Sequence, residues 1–413
     1  MTTGTGPQAL TPDCLTRANP SLANDAQPRM CAVRLHSGSR VPALDGLRGA
    51  AVLMVLLLHC AHGTGQSFAG RLFFSVINAG WIGVDLFFVL SGFLITGILI
   101  DSKASTHYFR NFYVRRTLRI FPLYYAVLIC VLVLTPLLRA LLGRAPGTTT
   151  ANQWWFWVYA TNFFPLFNPT DFFAGNWNLK LGHFWSLAVE EHFYLVWPAV
   201  VLVLSRTRLI RLCLILFASA LAVRLAINLT GAQPPIVSYW LTFCRVDSLA
   251  MGALLAAAGR GDLGIAPLLQ TAHIAAISST TAVIAFLIFR GGELSPIDPV
   301  IRTLGYSVLA VLFAAVLLLA IAPPAGDKAG LLPRICTQPF LIFFGKYSYG
   351  LYIFHFLIME RVERLGNALA GGSFALSIAL RIVIGVSLSL GVAMLSWHLM
   401  EKQLLKLKVR FSD

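Results

Sequence analysis

Charge is scarce in this chain. Asp, Glu, Lys and Arg make up 12% of its 413 residues, against about 25% in a soluble domain. That shortage, with a mean hydropathy of +0.74 and recurrent long apolar runs, excludes an ordinary soluble protein. The polar stretches between the runs are too short for a second globular domain of usual size. The seven cysteines are Cys14, Cys31, Cys60, Cys130, Cys213, Cys244 and Cys336, with no CxxC pair among them, so neither a disulfide framework nor a metal site of zinc type is expected. No internal repeat of solenoid period is present. No pair of interrupted helices sits at matching positions of two halves, which weighs against a secondary transporter. The GxSxG elbow of hydrolases is also missing.

What is present is a series of ten apolar runs, near residues 44–62, 80–100, 120–142, 188–204, 209–228, 240–258, 270–289, 303–322, 340–359 and 374–397. They predict an all-α, polytopic integral membrane protein with about ten transmembrane helices around a central cavity. With the N-terminus inside, 18 of the 32 Lys and Arg fall in inner segments, seven in outer loops and seven within the runs. That asymmetry predicts a multi-pass protein of the inner (plasma) membrane with both termini cytoplasmic. The net charge of +15 thus reads as orientation, and no nucleic-acid partner is expected. Residues 1–41, rich in Thr, Pro and Asn, read as a disordered cytoplasmic tail, 42–402 as the membrane domain and 403–413 as a basic cytoplasmic C-terminal tail. No signal-peptide core precedes the first run, so no cleavage is expected.

Three segments stand out. The second run, Gly80 to Thr96, is rich in glycine, which lets helices approach closely in lipid. A basic connector from Lys103 to Arg119, carrying Arg110, Arg115, Arg116 and Arg119, leads into the third run. The outer segment 143–187 is crowded with aromatics, including Trp154, Trp155, Trp157, Trp177 and Trp185. An interface belt explains such residues; a sugar-stacking surface is the sharper alternative.

His59 closes the apolar run Ala50–Leu58. An imidazole in a membrane span is costly without a partner or a wet cavity, and it suits proton transfer near neutral pH. His62, at i+3, is read as lying at the wet outer helix end. Arg116 and Arg119 are a turn apart, and their planar guanidinium groups suit phosphate oxygens; anchoring of the inner end is the other reading. Asp45 and Arg48, at i, i+3, either form a local pair that caps the first helix or face a cavity. Asp85, Glu190, Glu191, Arg245 and Asp247 each cost about 2.5–3.5 kcal/mol at a bilayer centre. Mutual pairing around one cavity would offset that cost. Ser91 and Tyr347 are further candidates to line it.

Four blocks in order then carry a resemblance: Pro42-Ala-Leu-Asp-Gly-Leu-Arg-Gly49 with His59; Gly83-Val-Asp-Leu-Phe-Phe-Val-Leu-Ser-Gly92; Phe112-Tyr-Val-Arg-Arg-Thr-Leu-Arg-Ile-Phe-Pro122; and His183-Phe-Trp-Ser-Leu-Ala-Val-Glu-Glu-His-Phe-Tyr194. Weaker matches follow at Arg245–Gly252 and Tyr347–His355. Over about 42–402 the chain resembles the bacterial membrane acyltransferase family 3, integral-membrane O-acyltransferases of polysaccharides and antibiotics. The resemblance implies transfer from a cytoplasmic acyl-CoA to a hydroxyl of a carbohydrate or glycosylated small molecule. It implies no bound cofactor and no metal; acyl-CoA is the donor co-substrate. The family's functional histidine falls on His59, its Arg-x-x-Arg pair on Arg116 and Arg119, and its acidic residue on Glu190 or Glu191. His192 stands where relatives usually carry Gln. Some relatives append a soluble hydrolase-like domain, and none is expected here.

On this reading His59 acts as general base, with Glu191, Glu190 or Asp45 supporting it. Arg116, Arg119 and Arg48 hold the donor, and His59 shares one water-accessible chamber with them. Ser91, Tyr347, Tyr349 and Tyr352 raise the option of a covalent acyl relay, with direct transfer preferred. His355 is read as an interhelical hydrogen-bonder. The competing class is a transporter or flippase for a lipid-linked or charged metabolite, which would also need charges within the membrane.

Overall fold

The structure is a computed structural model that describes residues 41–144, 152–175, 179–262, 264–322 and 330–411. The N-terminal tail expected at 1–41, apart from Val41, and Trp177 lie outside the described residues. Among the described residues there is no strand, and ten helices are long and apolar enough to cross a membrane. They are α1 (Pro42–Ala61), α2 (Phe68–Asp101), α3 (Tyr108–Leu141), α4 (Lys180–Val203), α5 (Arg206–Thr230), α6 (Pro235–Ala258), α7 (Ala266–Phe289), α8 (Ile301–Ala320), α9 (Pro339–Leu369) and α10 (Phe374–Lys406). The chain is an all-α, multi-pass membrane protein.

Helix boundaries follow local chemistry. Pro42, Pro235 and Pro339 start their helices at a position where the missing N–H costs nothing. Ser205 caps α5 by accepting from the Arg208 amide, and Gly231, at φ +61°, ends it in the left-handed region. The spans at 80–100 and 120–142 are longer than hydropathy predicts. α2 begins at Phe68 and passes through a tight turn at Ala79–Ile82. The basic connector is not a loop beyond His107: it forms the first turns of α3. Tyr108 and Phe112 there are buried, and the Tyr108 and Tyr113 hydroxyls donate to the carbonyls of Pro198 (3.0 Å) and Leu195 (2.7 Å) on α4. This docking keeps an arginine-rich stretch helical.

Two pairs of glycines set close crossings between spans. A methyl group on Gly92 would lie 1.9 Å from the Leu249 carbonyl of α6, and one on Gly252 2.0 Å from the Val89 carbonyl of α2. Gly49 and Gly345 press α1 against α9 in the same way, at 1.9 Å each. Backbone contact of this kind is how helices associate where lipid removes the hydrophobic drive. Along α1 and α9 the contacts run from Gly49 with Leu341 to His59 with His355, so the two helices are parallel.

A second polar seam ties α2, α5, α6 and α8. Arg245 bonds Asp85 at 2.5 Å, and Arg224 bonds Asp247 at 2.8 Å, all four side chains fully buried. Ser248 donates to Asp85 and Ser307 to Asp247, both at 3.1 Å. A wide π turn at Ile301–Gly305 turns the Thr303 carbonyl to Arg224 Nε, 3.1 Å away.

On the side of the 143–187 segment, Trp155, Phe156, Tyr159 and Phe164 pack into the core. The Tyr124 and Tyr125 hydroxyls donate to the Phe156 and Trp157 carbonyls. Trp154, Phe167 and Phe173 are left exposed. At the other end of the bundle, Leu407–Phe411 makes a tight turn lying on α3, with the Arg110 guanidinium 6.0 Å from the Phe411 ring centre.

Candidate active site

A cavity of about 310 Å³ opens between α1, α2, α3, α4 and α9. Asp45 and Arg48 reach it from the first turns of α1, and Arg116 and Arg119 from α3. Glu190, Glu191 and Tyr194 come from α4, Ser91 from α2, and Tyr349 and Tyr352 from α9. Its remaining wall is apolar, with Val84, Phe87, Phe88, Leu94 and Ile95 of α2. The spacing explains the convergence: Arg116 and Arg119 share one face of α3, while Arg115 is exposed.

The cavity gathers three guanidiniums, Arg48, Arg116 and Arg119, and three carboxyl groups, Asp45, Glu190 and Glu191. Among the described residues none of Arg48, Arg116 and Arg119 has a carboxylate within ion-pair distance. Arg48 Nε and Arg116 Nε are buried without a hydrogen-bond partner. Arg116 instead lies over the Tyr194 ring, 4.4 Å from its centre, and Tyr194 hydrogen-bonds Ser91. The local Asp45–Arg48 ion pair is therefore not formed; both residues face the cavity. Lys408, on the turn beyond α10, belongs to the same electrostatic neighbourhood. Burial, then the charges of Arg119, Arg116, Arg115 and Arg48, bring its ammonium down to about 7.

His59 is placed differently from the expectation of a shared chamber. It is absent from the cavity lining, which ends at Ser186 and Tyr352. His59 sits beyond that end among other rings, 5.0 Å from His355 and 4.9 Å from Phe356; His183 is 5.2 Å from His355. The His59 Nδ1 atom lies 2.8 Å from the Val55 carbonyl. A carbonyl only accepts, so Nδ1 carries the proton and Nε2 is left as the basic nitrogen. His355 is pinned likewise, by carbonyls of its own helix at Leu351 and Tyr352, so it is not the interhelical bonder expected. His62 is exposed at the end of α1. His192 bonds Thr242 Oγ1 at 2.8 Å and packs on Phe163, outside the cavity lining.

Asp85, Arg245 and Asp247 also lie outside the cavity. Of the expected mutual pairs around the cavity only Asp85–Arg245 forms, and it lies away from the cavity in the seam between α2, α5, α6 and α8, where Asp247 takes Arg224 as its partner instead. Arg224, which completes that seam, was not among the candidates; an arginine inside an apolar run was the available signal. Tyr347 is buried against Phe343 and Trp397, with the Lys346 ammonium 4.9 Å from its ring centre, and does not reach the cavity. Tyr194 and Ser186 are cavity residues that pattern alone did not single out.

The model of the acyltransferase domain family matches residues 41–398. The chain belongs to this acyltransferase family. Similar curated proteins are the peptidoglycan O-acetyltransferase OatA of Listeria monocytogenes, 29% identical over 78% of this chain and 50% of its own length. The putative peptidoglycan O-acetyltransferase YrhL of Bacillus subtilis is 29% identical over 88% of this chain and 54% of its own length. A putative O-acetyltransferase of Staphylococcus aureus is 26% identical over 78% of this chain and 51% of its own length. The chain spans about half the length of the curated relatives it matches. No solved structure matches it.

Proposed function

We propose that the protein transfers an acyl group from acyl-CoA to a hydroxyl of a carbohydrate, with His59 as general base. The observation that carries this reading is the group of three guanidiniums around one cavity, none within ion-pair distance of a carboxylate among the described residues, in a chain of the acyltransferase family. Unpaired arginines in a membrane need an anion, and a phosphate-rich donor supplies several. Arg48, Arg116 and Arg119 hold those phosphates, and the apolar wall takes the arm that bears the thioester. When the Ser186–Tyr352 layer between the cavity and His59 moves aside, His59 takes the proton of the acceptor hydroxyl on Nε2 as the oxygen attacks the thioester carbon. The carbon–sulfur bond breaks, the departing sulfur takes up the proton held by the imidazolium, and CoA leaves as its free thiol. Glu190 and Glu191 balance the charge of the arginine group. The relatives named for peptidoglycan support a cell-wall glycan as acceptor class. The lysine and arginine asymmetry supports an inner-membrane protein with cytoplasmic termini and donor entry from the cytoplasm. The family match and the relatives' names favour acyl transfer over the transporter alternative.

The test is acylated product measured by mass spectrometry in cells expressing wild type or His59→Gln at equal levels. Product formation falls about 10²–10⁴-fold on loss of a positioned base. Undiminished product from the variant overturns the base role. Transport without any acyl donor overturns the enzyme reading.

A further inference from the structure

The cavity has two unlike ends. Arg48 marks the basic end and His59 lies past the other, eleven residues further along α1, or about 16 Å at 1.5 Å per residue. What separates them is one layer of side chains. Tyr352, 7% exposed, donates its hydroxyl proton to the His183 carbonyl at 3.0 Å and shares a second hydrogen bond with Ser186 Oγ. Its ring touches Phe87 on the cavity side, at 6.2 Å between centres. On the other side it meets His183 and His355, at 5.5 and 5.7 Å. Tyr352 is thus the end wall of the cavity, held by two hydrogen bonds, with His183 and His355 on its other face.

From this geometry we infer that Tyr352 sets the acyl chain length the donor site accepts, limiting it to acetyl or a similarly short group. The inference rests on the proposed acyl-CoA reading. With its phosphates at the arginines, the donor's thioester end points toward Ser186 and Tyr352. That is the only direction that brings it near His59. A short acyl group fits in front of the phenol ring. Each further methylene has to displace a side chain held by two hydrogen bonds and packed on three rings. Pockets of this kind discriminate by about tenfold or more per methylene.

The experiment measures binding of CoA, acetyl-CoA and hexanoyl-CoA to the purified full chain and its variants. Wild type binds acetyl-CoA at least about tenfold tighter than hexanoyl-CoA. Tyr352→Ala removes the wall, and that ratio collapses to about one or reverses. Tyr352→Phe keeps the ring and keeps the wild-type ratio. The inference is overturned if Tyr352→Ala binds acetyl-CoA and retains the full discrimination, or if wild type does not discriminate. If Tyr352→Ala does not fold, Ser186→Leu fills the same end and weakens acetyl-CoA relative to CoA; an unchanged ratio there overturns it as well. A wild-type protein that binds none of the three removes the donor reading itself, a result distinct from binding without discrimination.

Discussion

Arg116 lays its guanidinium 4.4 Å from the centre of the Tyr194 ring, and in that position its Nε meets no hydrogen-bond partner. The ring holds the cation in place without neutralising it. The Tyr194 hydroxyl is itself tied to Ser91 on α2, so the arginine's position depends on helices α2, α3 and α4 together. A charge that is held but not paired is suited to an anionic ligand that comes and goes.

Replacing Arg116 and Arg119 together by Gln is expected to weaken acyl-CoA binding by about a hundredfold or more. Hydrogen bonds to charged groups contribute about 1.5–3 kcal/mol each, and 1.4 kcal/mol is about a factor of ten. Neither arginine forms an ion pair among the described residues, so thermal stability in detergent should change little. Equilibrium binding of labelled acyl-CoA, beside a melting curve, separates the two effects. Unaltered affinity would leave the pair as anchors of the helix end.

The buried seam predicts the opposite pattern. Asp85→Ala leaves the Arg245 cation fully buried with its carboxylate gone, and Arg245 Nε and Nη1 already lack partners. Breaking one side of a buried pair costs about 3–5 kcal/mol. Because the pair lies outside the cavity, a variant that still folds should bind acyl-CoA as wild type does. The double change Asp85→Leu with Arg245→Met should regain much of the lost stability. Melting of the two variants beside wild type in one detergent tests this, and equal losses in single and double variants would mean that the ion pair is not the cause.

Hydropathy alone located all ten spans, because twenty apolar residues in a row have few other uses. It placed the start of α3 twelve residues late, since arginines depress hydropathy whether they sit in a loop or on a helix face turned to a cavity. The docking of Tyr108 and Tyr113 on α4 decides between those cases, and that contact joins residues about 85 positions apart. Asp45, Arg48, Arg116, Arg119, Glu190, Glu191 and Ser91 were all legible as candidates, and the cavity gathers them. Asp85, Arg245 and Asp247 looked the same in sequence, yet Asp85 and Arg245 pair away from it and Asp247 takes Arg224. A buried charge announces the need for a partner, not which partner it takes. Tyr352 was legible only as a candidate nucleophile and Ser186 not at all; that the two form a layer between cavity and His59 depends on how α4 and α9 meet.

Lys408 gives a pH test that does not depend on the donor. Its pKa falls from 10.5 to about 7 in the folded protein, through burial first and then the charges of Arg119, Arg116, Arg115 and Arg48. Between those two values the unfolded chain holds a proton on Lys408 that the folded chain lacks. Stability contributed through this residue therefore rises as pH increases from about 7 to 10.5 and is at its lowest at and below pH 7. Lys408→Met removes the titrating amine. It should melt higher than wild type near neutral pH, with the difference shrinking steadily toward pH 10. The Lys408 side chain is partly exposed, so solvent moderates the size of the effect but not its sign. Melting temperatures of both proteins across that range decide the matter: a constant offset, or a difference that grows with pH, would place Lys408 away from the arginine group.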